Sequence, residues 1–148
     1  MKNTISVVLK LNLILIFLCS TISFAQEKDL NVPFAVLEEV PMFPNCINVE
    51  RSEGRNCFMQ EMNNHIKLNF RYPKKAKKNK IQGRVTVMFL INHEGYVEIT
   101  KIVAQEGTEL LAEEAERIIK LLPKFKPGML QGEPVDVMYA QPIVFKIN

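Results

Sequence analysis

The stretch GRVTVMFLINHEGYVEITKIVA, from Gly83 to Ala104, decides the fold of this chain. Val85, Val87, Phe89 and Ile91 alternate with Thr86, Met88, Leu90 and Asn92, the two-residue period of a strand that is apolar on one face and semi-apolar on the other. Asn92-His93-Glu94-Gly95 follows with turn chemistry, and Gly95 is free to take positive φ. Val97 to Val103 then runs back as a second, β-branched strand. Its alternation slips between Ile99 and Ile102, which predicts a bulge or a strand end. A lone hairpin is unstable in water, so the flanking sequence has to cover its apolar face.

Downstream, Thr108 stands at a helix-cap position, with Glu109 at the positive end of the helix dipole. Leu111, Ala115, Ile118, Ile119 and Leu122 form one stripe at helical spacing, and Glu113–Arg117 and Glu116–Lys120 are i, i+4 pairs for the wet side. Pro123 stops this helix. The segment PKFKPGMLQGEP, Pro123 to Pro134, is turn-rich, with permissive points at Gly128 and Gly132 and with Pro134 at a strand entry. Val135, Val137, Tyr139, Ile143, Phe145 and Ile147 then alternate with Asp136, Met138, Ala140, Val144 and Lys146 as a third strand. Pro142 lies inside it and cannot donate to a ladder, so this strand belongs at an edge or carries a bulge. The order strand, strand, helix, strand predicts an α+β fold. Its sheet is expected to be three-stranded and antiparallel, in the order 2-1-3, with the helix packed on one face.

Upstream, Phe58, Met62, Ile66 and Phe70 recur every four residues, an additional N-terminal helix over residues 55–70 that Pro73 brings to an end. His65 borders that stripe with no partner in view, as a half-buried helix histidine does. The basic run Lys74-Lys75-Ala76-Lys77-Lys78-Asn79-Lys80 reads as a solvated helix face and carries no interleaved aromatics for stacking on bases. Residues 32–44 mix apolar side chains with Pro33, Pro41 and Pro44, which excludes a helix interior. Their apolar content places them along the domain surface, since a free linker would be more polar.

The first 25 residues read as a signal peptide: Lys2 and Lys10, the apolar run Leu11 to Leu18, and Ser23-Phe24-Ala25 before Gln26. The apolar run after Lys10 is far short of the roughly 20 residues that span a bilayer, which disfavours a permanent anchor. The chain carries 19 Lys and Arg against 16 Asp and Glu. Two of the lysines leave with the signal, and the resulting net +1 predicts no strong attraction to polyanions, nucleic acid included. Cys19 leaves as well, so Cys46 and Cys57 remain as an even pair in an oxidising compartment, where a disulfide is the natural state. Zinc would need two further ligands, and a redox site would favour Cys-x-x-Cys. The expected division is 1–25 signal peptide, 26–54 extended leader with loop, and 55–148 folded domain with its core at 72–148.

Several spaced motifs agree at once on a known family. Tyr72-Pro73, the basic segment with Ala76, Ile81-Gln82-Gly83-Arg84-Val85-Thr86-Val87, Glu94-Gly95, Leu122-Pro123-x-Phe125-x-Pro127-Gly128, Gly132-x-Pro134-Val135 and Phe145-Lys146-Ile147 together resemble the TonB C-terminal domain over residues 70–148. Phe125 stands where that family usually has tryptophan. The resemblance implies a domain that binds the periplasmic face of outer-membrane transporters, whose short extended box peptide adds as a strand to the terminal-strand edge. It also implies an inner-membrane anchor, a long proline-rich linker and a proton-motive partner complex. The segment between Gln26 and Tyr72 is too short for such a spacer.

The expected function is therefore a periplasmic peptide-binding module that docks an extended segment of an outer-membrane transporter or other envelope protein, in support of energy-coupled transport. The expected docking residues are Val135, Asp136, Val137, Met138, Tyr139 and Ala140, ahead of Pro142. Two alternatives stand beside it: an anchored full energy transducer, and an assembly module that dimerises through its edge strand. No cofactor, metal or catalytic residue is expected, because neither histidine has an acidic or nucleophilic neighbour at motif spacing and no phosphate-binding glycine loop is present.

Overall fold

A computed structural model describes residues 31–147, so the signal-like segment 1–25 lies outside the described residues. In chain order the elements are β1 (Val32–Pro33), α1 (Gly54–Asn69), α2 (Lys74–Lys78), β2 (Gly83–Ile91), β3 (Val97–Val103), α3 (Glu109–Lys120), β4 (Gly128–Leu130), β5 (Glu133–Val135) and β6 (Val137–Phe145). Short 3-10 turns at Phe34–Val36, Pro44–Cys46 and Arg51–Glu53 bend the leader between β1 and α1.

The α+β architecture is as expected, but the sheet is not a three-stranded antiparallel one. It has four strands, in the order β1-β6-β2-β3, and it is mixed because β1 runs parallel to β6. The three long strands keep the expected arrangement, with β2 central between β3 and β6 and antiparallel to both. The fourth strand comes from the leader. Two residues followed by a 3-10 turn are too short for any alternation to register, so nothing periodic in the sequence marks β1 as a strand. The third strand also divides: Val135 belongs to β5, which pairs with β4 in a small separate hairpin, and β6 begins only at Val137.

Helices cover one face of the sheet. Val85, Val87, Phe89 and Ile91 of β2 are fully buried there, and so are Leu111, Ala115, Ile118 and Ile119 of α3. Phe58 and Met62 of α1 and Leu37, Val40, Met42 and Phe43 of the leader complete the same core. Each fully buried side chain of that size contributes about 1.5–3 kcal/mol by leaving water. The slip in β3 is a bulge: Met88 faces Lys101 while Phe89 faces Ile99, which leaves Thr100 as the extra residue. Its hydroxyl donates to the Met88 carbonyl at 3.1 Å.

Two local expectations for α3 are corrected. Thr108 holds the cap position, but its hydroxyl donates back to the Gln105 carbonyl instead of accepting a helix amide. Its carbonyl takes the Leu111 and Ala112 amides. Arg117 pairs with Glu114, one turn back, and not with Glu113, because Glu114 also meets the end of α1. Glu116–Lys120 forms as expected, at 2.6 Å. In α2, Ala76 alone is buried and the four lysines face solvent.

Gly95 adopts φ +90° in the β2–β3 turn, and a Cβ placed there would lie 2.0 Å from the Phe125 carbonyl oxygen. The two backbones touch at this point, with the Phe125 amide donating to the Gly95 carbonyl at 2.9 Å. Gly95→Ala is therefore expected to destabilise the fold by at least about 2 kcal/mol, since strain in φ adds to a clash with rigid backbone. Thermal unfolding followed by circular dichroism checks this.

Cys46 and Cys57 are disulfide-bonded, with Cα atoms 6.0 Å apart across 11 residues, and they tie the leader to the first turns of α1. Closing so short a loop removes entropy from the unfolded chain. Replacing both cysteines by serine should lower stability by about 2–3 kcal/mol in urea titrations, and adding reductant to the parent chain should reproduce the loss.

Candidate functional site

The outer edge of β6 is the candidate site, and main-chain geometry defines what it offers. Met88 takes the Thr100 hydroxyl on its carbonyl from the β3 side, and Met88 is the register partner of Ala140. Met88 and Ala140 thus form a non-hydrogen-bonded pair, and the amide and carbonyl of Ala140 face away from β2. The same outward row contains Asp136, Met138, Pro142 and Val144, since main-chain direction alternates along a strand. Pro142, which has no amide to give, stands at an outward position opposite Thr86, and so costs the β2–β6 ladder nothing.

The six residues expected to dock a partner are not equivalent. Val135 pairs with Gly128 in the small hairpin. Asp136 gives its carbonyl to the Val32 amide at 2.9 Å. Val137 and Met138 lie opposite Val32 and Pro33, so the leader already covers them. Tyr139 turns its ring inward, and burial pushes its phenol above the usual value. Ala140 is exposed and, among the described residues, lies beyond the end of β1. Further along, the buried Gln141 side chain donates to the Pro142 carbonyl at 2.9 Å, which closes one more outward acceptor.

Several side chains that sequence spacing does not connect hold the leader against this edge. Arg55 donates to three leader carbonyls, those of Phe34 (2.9 Å), Ala35 (3.2 Å) and Leu37 (2.9 Å). The Phe34 ring packs on Phe58 and Tyr139, with centroids 4.8 and 5.0 Å away. His93, in the hairpin turn, meets Asp136 at the entry to β6: one carboxylate oxygen accepts both the His93 amide (2.7 Å) and its Nδ1–H (2.8 Å). No sequence signal singles out Arg55, because the carbonyls it collects become its partners only when the leader folds back along α1. His93 and Asp136 are 43 residues apart, and only the register of β2 against β6 brings them together.

The platform under the leader is braced at its far end. Glu114 accepts Arg117 Nε at 2.9 Å and Nη2 at 2.7 Å, together with the Arg71 amide at 2.9 Å. Arg117 also donates to the carbonyl of Asn69, the last residue of α1. His65 donates from Nε2 to the Ile118 carbonyl at 2.9 Å, a structural bond between α1 and α3. Among the described residues no helix is long and apolar enough to cross a membrane, and no three His, Cys, Asp or Glu side chains converge as a metal site requires.

The family described as Gram-negative bacterial TonB protein C-terminal matches residues 69–147, just over half of the chain. The chain belongs to the TonB C-terminal family. The matched region begins at the end of α1 and includes α2, α3 and every strand except β1, so the leader and most of α1 precede the family domain. Two solution structures of the Helicobacter pylori TonB C-terminal domain are similar to the chain. One is 24% identical, covers 69% of this chain and 87% of its own, and has a TM-score of 0.44. The other is 26% identical, covers 60% and 92%, and has a TM-score of 0.37. No curated protein matches the chain.

Glu114 yields a prediction with a definite sign. Burial pushes its carboxyl up, but the Arg117 side chain, the Arg71 amide and the charges of both arginines outweigh this and hold it below the ordinary 4.5. A folded value below the unfolded one adds stability that is complete above the unfolded value and is lost as pH falls through the folded one. Glu114→Gln should cost about 1–2 kcal/mol near neutral pH, and the gap between variant and parent urea curves should narrow below pH 4.5.

Proposed function

We propose that this TonB-like envelope protein is a periplasmic binding module that docks an extended segment of an outer-membrane transporter, or of another envelope protein, by strand addition along the outer edge of β6. Family membership supports the TonB-like envelope role. One observation carries the finer reading: the Ala140 amide and carbonyl point outward from β6 with no strand of the described chain beside them. An added strand gains affinity from main-chain bonds and selectivity from the side chains it seats alternately. Of the six expected residues, Val135 is spent on β5, so docking is assigned to Asp136 through Ala140. The first three of these become available only where the leader gives way.

The module is proposed as a binding protein and not as an enzyme. His65 is occupied by the Ile118 carbonyl, and His93 orients Asp136 at the hairpin end. Export through residues 1–25 belongs to the same proposal, and a mature N-terminus at Gln26, read by mass spectrometry, is the outcome that it requires.

Ala140→Pro isolates the docking edge. It deletes one outward amide in the same row as Pro142 and leaves the β2–β6 ladder intact. Box-like synthetic peptides should bind the variant about tenfold more weakly than the parent, with unchanged thermal stability. Backbone chemical-shift titration reads the affinity, and thermal unfolding followed by circular dichroism reads the stability. Peptides that bind parent and variant equally, or that leave β6 unperturbed, would remove the edge from consideration.

A further inference from the structure

We infer that the leader segment Val32-Pro33-Phe34 is an internal ligand of the docking edge, and that the external partner is a segment of the same chemistry. That partner is an extended strand parallel to β6, with a buried β-branched residue followed two positions later by an aromatic one. The inference rests on the strand-addition proposal and gives that site its specificity.

The leader behaves as an added strand in each respect that the geometry can register. Val32 lies opposite Val137, is 3% exposed, and donates its amide to the Asp136 carbonyl at 2.9 Å. It comes from outside the matched family domain and runs parallel to β6, whereas every other pairing in the two sheets is antiparallel. Two residues on, Phe34 fills the apolar recess over Tyr139 and Phe58. Those contacts define two seats, a small one for a β-branched side chain at Val137 and a flat aromatic one at Tyr139.

The same geometry makes the leader a replaceable occupant. Directly after Pro33 the backbone turns into the 3-10 segment Phe34–Val36, so the parallel ladder ends after two pairs. Arg55 collects the Phe34, Ala35 and Leu37 carbonyls where the chain departs, and its guanidinium lies 5.4 Å over the Phe34 ring. The leader therefore never reaches Ala140. An external strand that stays extended beyond its second position can continue the ladder from Met138 to Ala140, where Pro142 limits it. Tethering favours the leader through effective concentration, and the longer ladder favours the partner. Leader occupancy then weakens the apparent affinity of any partner by the fraction of molecules whose edge is open.

The test uses the full chain and the leader's own sequence as probe, the synthetic peptide NVPFAVL. In a chain carrying Val32→Asp and Phe34→Ser the tethered copy is disabled, and the peptide should bind at least about tenfold more tightly than to the parent. Amide shifts should fall on Val137 to Ala140, and a control peptide with Asp and Ser at the Val and Phe positions should not bind. Arg55→Ala, which loosens the latch without touching the apolar seats, should move affinity in the same direction. In the parent, bound box-like peptide should shift the Val32 amide and speed its hydrogen exchange. If box-like peptides bind while the Val32 amide stays unmoved and NVPFAVL ignores both variants, the internal-ligand inference is overturned and strand addition stands. If neither kind of peptide perturbs β6 in any chain, both fall.

Discussion

Val85, Val87, Phe89 and Ile91 lose all contact with water on one face of β2, while the backbone of the same strand is paired on both sides. A strand buried on one face and bonded along both edges has no freedom to shift register, because a slip of one residue would turn four apolar side chains to the other face. With β2 fixed, β3 and β6 are fixed as its neighbours, and α3 and α1 find their positions as the cover for the inner face. The contact between Gly95 and Phe125 locks the hairpin end to the segment that leads into β4, where a side chain larger than hydrogen has no room.

A sheet so built has two edges, and the chain treats them differently. On β3 the bulge at Thr100 disrupts the ladder, and bulges of this kind discourage unplanned strand pairing. On β6 the edge is managed in three short pieces: the leader over Asp136 to Met138, an open position at Ala140, and Pro142 with its carbonyl taken by Gln141. That division limits self-association along the whole edge while leaving one stretch able to pair. Under the proposed docking, partner binding and leader release are parts of one equilibrium, and the three Arg55 bonds to leader carbonyls oppose release.

The leader and α1 are built as one unit around this edge. The Cys46–Cys57 bond fixes the chain between them, and Phe34, Phe43, Phe58 and Tyr139 form a continuous aromatic layer from leader to sheet. At the other end of α1, Glu114 and Arg117 hold its last turn to α3. The apolar recess under Phe34 is thus built from Phe58 of α1 and Tyr139 of the sheet, two elements held together independently of the leader's first residues.

The hairpin, its bulge, both long helices and the disulfide pair were legible in the sequence, because each is set by a local pattern, whereas the last strand, expected outermost, has β1 beside it. Alternation of period two, an apolar stripe at helical spacing and an even pair of cysteines beyond a signal-like segment need no distant partner to be recognised. What the sequence did not determine was what lies beside the last strand. β1 is two residues long and one of them is proline, so it forms only because β6 supplies a ready edge and Arg55 gathers the carbonyls that follow. The choice of Glu114 over Glu113 for Arg117, and the meeting of His93 with Asp136, likewise depend on which surfaces the packing brings together. Local periodicity fixed the strands and helices; the pairing of the final edge was decided by contacts between segments about a hundred residues apart, which only the folded chain brings together.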